Sequence, residues 1–147
     1  MTYGSTGPFE DAVRLTEYAV GQGMKNNDTA NMDEGYNRTP GSSGGVAEEM
    51  IGAVLKKYDR NKVVVATKLG MKVGDAPEDE GTSAAAIDKH LELSLRRIQT
   101  DYVDFYYLHK PDPDSSLEDT LTTMNRKIKE GKVRYYGVSN YNTAQLS

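Results

Sequence analysis

Residues 101–112 read DYVDFYYLHKPD. Within this stretch Val103, Phe105 and Tyr107 alternate with Asp104, Tyr106 and Leu108, and aromatic and aliphatic side chains dominate. Such side chains suit a pleated, half-buried surface, so the run predicts a strand, which Pro111 and Pro113 close promptly. At its carboxyl end stands His109, one of 2 histidines in the chain. An ionisable ring at the end of a buried strand is costly unless it is hydrogen-bonded or used. Taken alone, a satisfied loop-start histidine explains it as well as a functional one. Other strands ending in the same way favour a site.

Working outward, residues 62–68 (KVVVATK) form a near-continuous apolar run, as expected for a parallel strand covered on both faces, and it ends in Lys68. Between the two strands Ser83 can cap a helix whose core face is Ile87, Leu91, Leu95 and Ile98. His90 lies off that stripe among charged neighbours and is expected in solvent. Before the Lys68 strand, residues 47–58 (AEEMIGAVLKKY) are amphipathic, with Met50, Ile51, Val54 and Leu55 on one side. Glu48 and Glu49 near the start and Lys56 and Lys57 near the end suit the helix dipole. Downstream of His109, Ser115 and Glu118 have capping-box spacing at the head of a helix expected to turn Leu117, Leu121, Met124 and Ile128 inward. Gly131 ends that helix. Residues 133–138 (VRYYGV) are a further strand, followed by Ser139 and Asn140, and Asn142 and Thr143 suggest the start of another helix.

Toward the amino terminus, residues 8–22 carry Phe9, Val13, Thr16 and Val20 at helical spacing, with Pro8 suited to the first turn and Gly21 and Gly23 to the end. Residues 24–30 (MKNNDTA) occupy the place of a short strand although Lys25, Asn26 and Asn27 are poor strand formers, and they offer Asp28. Residues 1–4 (MTYG) read as the stub of an earlier strand. Residues 31–46 form a long polar loop that holds Tyr36 and the run GSSGG. That run lacks the P-loop lysine and follows no strong strand, which favours a flexible loop over a phosphate cradle.

Strands alternating with amphipathic helices give βαβ units and a parallel sheet. Four of these strands end in polar residues: Asp28, Lys68, His109 and the pair Ser139–Asn140. The carboxyl ends of parallel strands share one face, where such folds carry their chemistry. A network of structural ion pairs is the alternative explanation; the repeated structural address favours a site. No GxGxxG follows a strand, which argues against a dinucleotide-binding doubly wound sheet. The expectation is an α/β fold, a partial (β/α)8 TIM barrel of about five βα units in a single domain spanning residues 1–147, since a whole barrel needs about 250 residues. The formal charge of −4 argues against nucleic acid or an anionic membrane as partner. With 0 cysteines, 2 widely separated histidines and no HExxH, no metal site is expected. No apolar run of about 20 residues or signal-peptide pattern occurs, so a cytoplasmic protein is expected.

The blocks NDTAN, VVVATKLGM, LRRIQTDYVDFYYLHKPDPD and GKVRYYGVSNY resemble, in order and spacing, the aldo-keto reductases, particularly their bacterial-type and channel-β-subunit-like branches. The likeness runs over essentially the whole chain, from the end of the first barrel strand through the fifth. It implies a (β/α)8 barrel that binds NADPH without a Rossmann fold and reduces an aldehyde or ketone to an alcohol, with NADH as an open alternative. Carried over residue by residue, it makes Asp28, Lys68 and His109 members of a catalytic tetrad and Ser139–Asn140 the pair that holds the nicotinamide carboxamide. The family's tyrosine usually lies five residues after the aspartate, where this chain has Asp33. Tyr36, three residues on and followed by NRTPGS, is the expected tyrosine if a short insertion precedes it; a lost tyrosine is the alternative.

The chemistry explains the residue types. Hydride addition builds negative charge on the carbonyl oxygen, which a proton must neutralise. A tyrosine hydroxyl can donate it, a neighbouring ammonium lowers that hydroxyl's pKa, and a carboxylate keeps the ammonium charged and oriented. His109 would hydrogen-bond the substrate oxygen. Contacts to the pyrophosphate and 2′-phosphate lie, by the same resemblance, on later strands, so a missing C-terminal segment or a homodimer is expected to complete the barrel. A catalytically inactive or truncated relative with a binding or assembly role is the competing expectation.

Overall fold

The computed structural model describes residues 8–33 and 44–146. The strand stub at residues 1–4, Tyr36 and residues 41–43 of the GSSGG run lie outside the described residues. Four helices and four strands alternate: α1 (Phe9–Gly21), β1 (Asn26–Asp28), α2 (Val46–Leu55), β2 (Val64–Leu69), α3 (Ala84–Ile98), β3 (Val103–Leu108), α4 (Leu117–Lys129) and β4 (Val133–Val138). All neighbouring strands are parallel, in the order β1-β2-β3-β4. The four strands expected within the described residues are thus all present.

The pleat divides the sheet. Val65, Leu69, Tyr106 and Leu108 are buried with Ile51 of α2, Ile87, Leu91 and Ile98 of α3 and Met124 of α4 in one core. Phe105, Tyr107, Lys68 and Asp28 line the opposite, concave surface. Register aligns them in rows: Asp28 pairs with Ala66, Ala66 with Phe105 and Phe105 with Tyr135, while Lys68 pairs with Tyr107 and Tyr107 with Gly137. Phe105 stacks on Tyr107 and on Tyr135, with centroids 6.0 and 5.6 Å apart. Gly137 leaves the room this needs, since a Cβ there would lie 2.8 Å from Cε1 of Tyr107.

Helix α2 approaches α3 closely at Gly52, where an added Cβ would meet the Arg97 carbonyl oxygen at 2.4 Å. Backbone cannot give way as a flexible side chain can. Gly52→Ala is therefore expected to destabilise the fold by about 1–3 kcal/mol despite alanine's better helix propensity, read as a lower urea midpoint.

Three expectations need correction. Helix α4 is capped by Ser116, which accepts from the Asp119 N–H, and not by Ser115. Its buried line is Thr120, Thr123, Met124 and Lys127, whereas Leu117 is 59% and Ile128 37% exposed. Polar contacts set this rotation: the Thr120 hydroxyl donates to the Thr82 carbonyl (2.9 Å), and Lys127 lies 2.6 Å from Asp88 on α3. His90 is buried, not solvated. The loop after β2 folds back through a turn at Pro77–Asp79, and the His90 Nε2–H donates to the Glu78 carbonyl (2.9 Å).

Burial holds His90 below its ordinary value of 6.5. A histidine whose pKa is lower folded than unfolded contributes stability that is complete above about 6.5 and lost as pH falls from there through the folded value. The thermal midpoint should accordingly fall between pH 7 and pH 5, with a shallower slope in His90→Gln.

Candidate active site

The candidate groups all leave the sheet at its carboxyl edge, because the inter-strand bonding continues past each strand. Thr29 N–H donates to the Ala66 carbonyl (2.9 Å), Asn31 N–H to Lys68 (3.0 Å), His109 N–H to Leu69 (2.8 Å) and Ser139 N–H to Leu108 (2.9 Å). Each exit is thereby fastened to its neighbour, and residues distant in the chain share one rim.

On that rim the Lys68 ammonium donates to Asp28 Oδ1 at 2.6 Å and to the Thr29 carbonyl at 2.9 Å. Lys68 is buried whereas the Asp28 side chain is 46% exposed, so the cation is the sheltered partner of this pair. Such a charge-assisted bond fixes the ammonium in position. The neighbouring His109 has its pKa lowered, first by burial and then by the Lys68 charge, against the opposing pull of Asp33 and Asp28. It is therefore neutral at neutral pH, with one ring nitrogen donating and the other accepting. Its Nδ1 is buried without a hydrogen-bond partner among the described residues.

Asn140 takes a left-handed backbone conformation (φ 62°), which asparagine tolerates. Its Nδ2 donates to the His109 carbonyl (2.7 Å) and to Ser139 Oγ (3.2 Å), joining the exit of β4 to that of β3. Among the described residues the Ser139 O–H and Asn140 Oδ1 are left to pair with a ligand, a donor and an acceptor that match a primary carboxamide. The nicotinamide end of a dinucleotide thus fits the residues present.

The structure brings together Asp28, Lys68, His109, Ser139 and Asn140. Tyr36, the expected proton donor, lies outside the described residues. Two participants escape a reading of side-chain patterns. The Thr29 carbonyl is a backbone group that no residue type announces. Asp33 is half-buried, and burial holds its pKa above the ordinary 3.8 against the lowering effect of Lys68 and His109. Its signal in the sequence was its place five residues after Asp28.

The lysine–carboxylate pair and the histidine lie on the carboxyl edge of a parallel βα sheet, the face where parallel βα barrels carry their chemistry. The aldo/keto reductase family profile matches residues 1–147. The chain is 35% identical over 136 residues to aldo-keto reductase YhdN of Bacillus subtilis (strain 168), covering 92% of this chain and 38% of that protein. It is 38% identical over 105 residues to a probable voltage-gated potassium channel subunit beta of Oryza sativa subsp. japonica, covering 70% of this chain and 32% of that one. Among solved structures, a thermostable aldo-keto reductase, Tm1743, crystallised with the inhibitor epalrestat, superposes with a TM-score of 0.81 at 30% identity, over 97% of this chain and 46% of that chain. The chain belongs to the aldo/keto reductase family, and its fold is part of that family's TIM barrel. It spans less than half the length of these relatives.

Proposed function

We propose that the chain contributes the carbonyl-reducing site of an NADPH-dependent oxidoreductase that converts aldehydes or ketones to alcohols. The observation that carries this reading is the Lys68 ammonium, sheltered and held 2.6 Å from Asp28 on the same rim as a neutral His109. A bound reduced nicotinamide would supply the hydride. Ser139 and Asn140 would hold its carboxamide. His109 hydrogen-bonds the carbonyl oxygen and steadies the charge that develops there. Lys68 lowers the pKa of the Tyr36 hydroxyl, which passes its proton to that oxygen, and Asp28 holds the Lys68 ammonium in place. In this reading the concave aromatic face of Phe105, Tyr107 and Tyr135 is covered by the remainder of a barrel, from a C-terminal segment or a second copy.

The likeness to a potassium channel subunit beta favours a second reading, in which the chain binds a cofactor or partner without turnover. A fluorescence titration with NADPH and, separately, NADH tests the cofactor site. Saturation at micromolar NADPH with weaker NADH supports the proposal; no binding up to millimolar cofactor of either kind overturns it for this chain. Tyr36→Phe should lower kcat by about 10²–10⁴-fold in the neutral-to-alkaline range with little change in NADPH affinity, as loss of a proton donor requires.

A further inference from the structure

Among the described residues the sheet has two open edges, the outer sides of β1 and of β4. The exposed large apolar side chains gather at those edges. Phe9, Leu15 and Tyr18 stand on α1, the helix that leads into β1. Leu117 and Ile128 stand on α4, Tyr135 and Val138 on β4, and Leu146 follows β4. The central elements α2, β2, α3 and β3 expose none. Apolar side chains scattered singly over a surface are ordinary, but a set confined to two edges marks a covered surface.

The helices aim these residues along the edges. On α1, Glu17 marks the side toward α2, since its carboxylate pairs with Lys57 (2.7 Å) and its carbonyl accepts from the Tyr58 hydroxyl (2.8 Å). At about 3.6 residues per turn, Leu15 lies on the far side of the helix from Glu17 and shares that face with Tyr18. On α4, Arg126 and Lys127 mark the side toward α3, because both pair with Asp88. Leu117, Leu121 and Ile128 form a line on the other side, next to the open edge of β4. This is the apolar line expected to face inward from the sequence, and only its Met124 is fully buried.

We infer that a second copy of this chain covers both edges, so that two four-stranded sheets related by a two-fold axis close one eight-stranded parallel barrel. Rotation about the barrel axis sets β4 of each copy beside β1 of the other and keeps all strands parallel. Helix α1 of one copy then lies over the seam beside α4 of the other, bringing Leu15 and Tyr18 against Leu117, Leu121 and Ile128. Two observations select this occupant. Four strands are half of the eight that enclose an interior just wide enough for side chains to fill. One chain covers 46% of the solved relative, so two copies approach the length of that whole barrel. The concave face gains its missing wall in the same step. Its cavity of about 360 Å³, lined by Lys68, Phe105, Tyr107 and Ser139 among others, becomes closed, and Tyr135, 62% exposed, turns into the interior.

Sedimentation equilibrium of the 147-residue chain without cofactor tests the association. The expected mass at micromolar concentration is twice that of one chain. Leu15→Lys should weaken the dimer by about tenfold or more with an unchanged far-UV circular dichroism spectrum, as loss of a central apolar contact requires. Because the sequence has 0 cysteines, single-cysteine variants report the geometry. Oxidation of a mixture of Leu15→Cys and Leu121→Cys chains should link one to the other. Either variant alone should link far less, since the two-fold axis puts like residues on opposite sides of the barrel, beyond disulfide reach. A monomer at high micromolar concentration, a dimer indifferent to Leu15→Lys, or a Leu15→Cys chain that links to itself as readily as to Leu121→Cys overturns the inference. Every one of these results is read without NADPH, so the carbonyl-reducing reading stands or falls separately.

Discussion

Lys68→Met is expected to lower kcat for carbonyl-dependent NADPH oxidation by about 10²–10⁴-fold while the protein stays folded. Methionine nearly matches the stem of lysine in volume, so the packing of β2 against its neighbours changes little. The substitution removes the ammonium that donates to Asp28 and to the Thr29 carbonyl. Asp28, nearly half exposed, is left to water, so no unpaired charge is stranded in the core. Catalysis fares differently. On the proposed mechanism, losing the cation on the rim takes from the tyrosine hydroxyl the group that lowers its pKa and from the oxyanion a nearby positive charge. Steady-state kinetics beside a thermal melt separate the two effects. Equal turnover in Lys68→Met and wild type would contradict the role given to this residue.

Asp104→Ala should have the largest effect on stability, about 3–5 kcal/mol, the usual consequence of removing one partner of a buried charge pair. Asp104 is buried, and its Oδ2 accepts from Arg60 Nη2 (2.9 Å) and the Val65 N–H (2.9 Å) while its Oδ1 accepts from Arg134 Nη1 (2.8 Å). One carboxylate thus joins the start of β2, β3 and β4 on the side of the sheet opposite the candidate site. Both guanidinium groups also lie over the Tyr102 ring, 4.0 and 4.2 Å from its centroid. Alanine would take from Arg60 its charged partner, leaving it only the Val63 and Tyr102 carbonyls and the Thr100 hydroxyl, and would leave the Val65 N–H without its acceptor. At about 2–4 °C per kcal/mol for a chain of this size, Tm should fall by roughly 6–20 °C. Asp104→Asn keeps one acceptor oxygen and should fall less. A Tm within about 2 °C of wild type for the alanine variant would remove Asp104 from the account of the fold.

What the sequence disclosed follows from which interactions leave a pattern in it. The alternation in residues 101–112 marks β3 because both faces of the strand are specified by residue type. The convergence of Asp28, Lys68 and His109 was legible because parallel topology sends every strand's carboxyl end to the same rim. The inward face of α4 was misread: Leu117, Met124 and Ile128 lie on an apolar line, but the hydroxyl of Thr120 and the ion pair of Lys127 with Asp88 decide which line faces the sheet. His90 was misread because its partner is a backbone carbonyl of a loop whose fold-back no periodicity encodes. Asp33 was seen only as a position where a tyrosine was expected. The turn that half-buries it is held by three backbone hydrogen bonds, and these carry no residue signature.

Transfer of deuterium from C4-deuterated NADPH to an aldehyde by the 147-residue chain, read by mass spectrometry of the alcohol, tests carbonyl reduction most directly. The account predicts one deuterium on the carbinol carbon with wild type and almost none with Lys68→Met. Saturable NADPH binding with no deuterium in the product would contradict it and leave a site that binds without reducing.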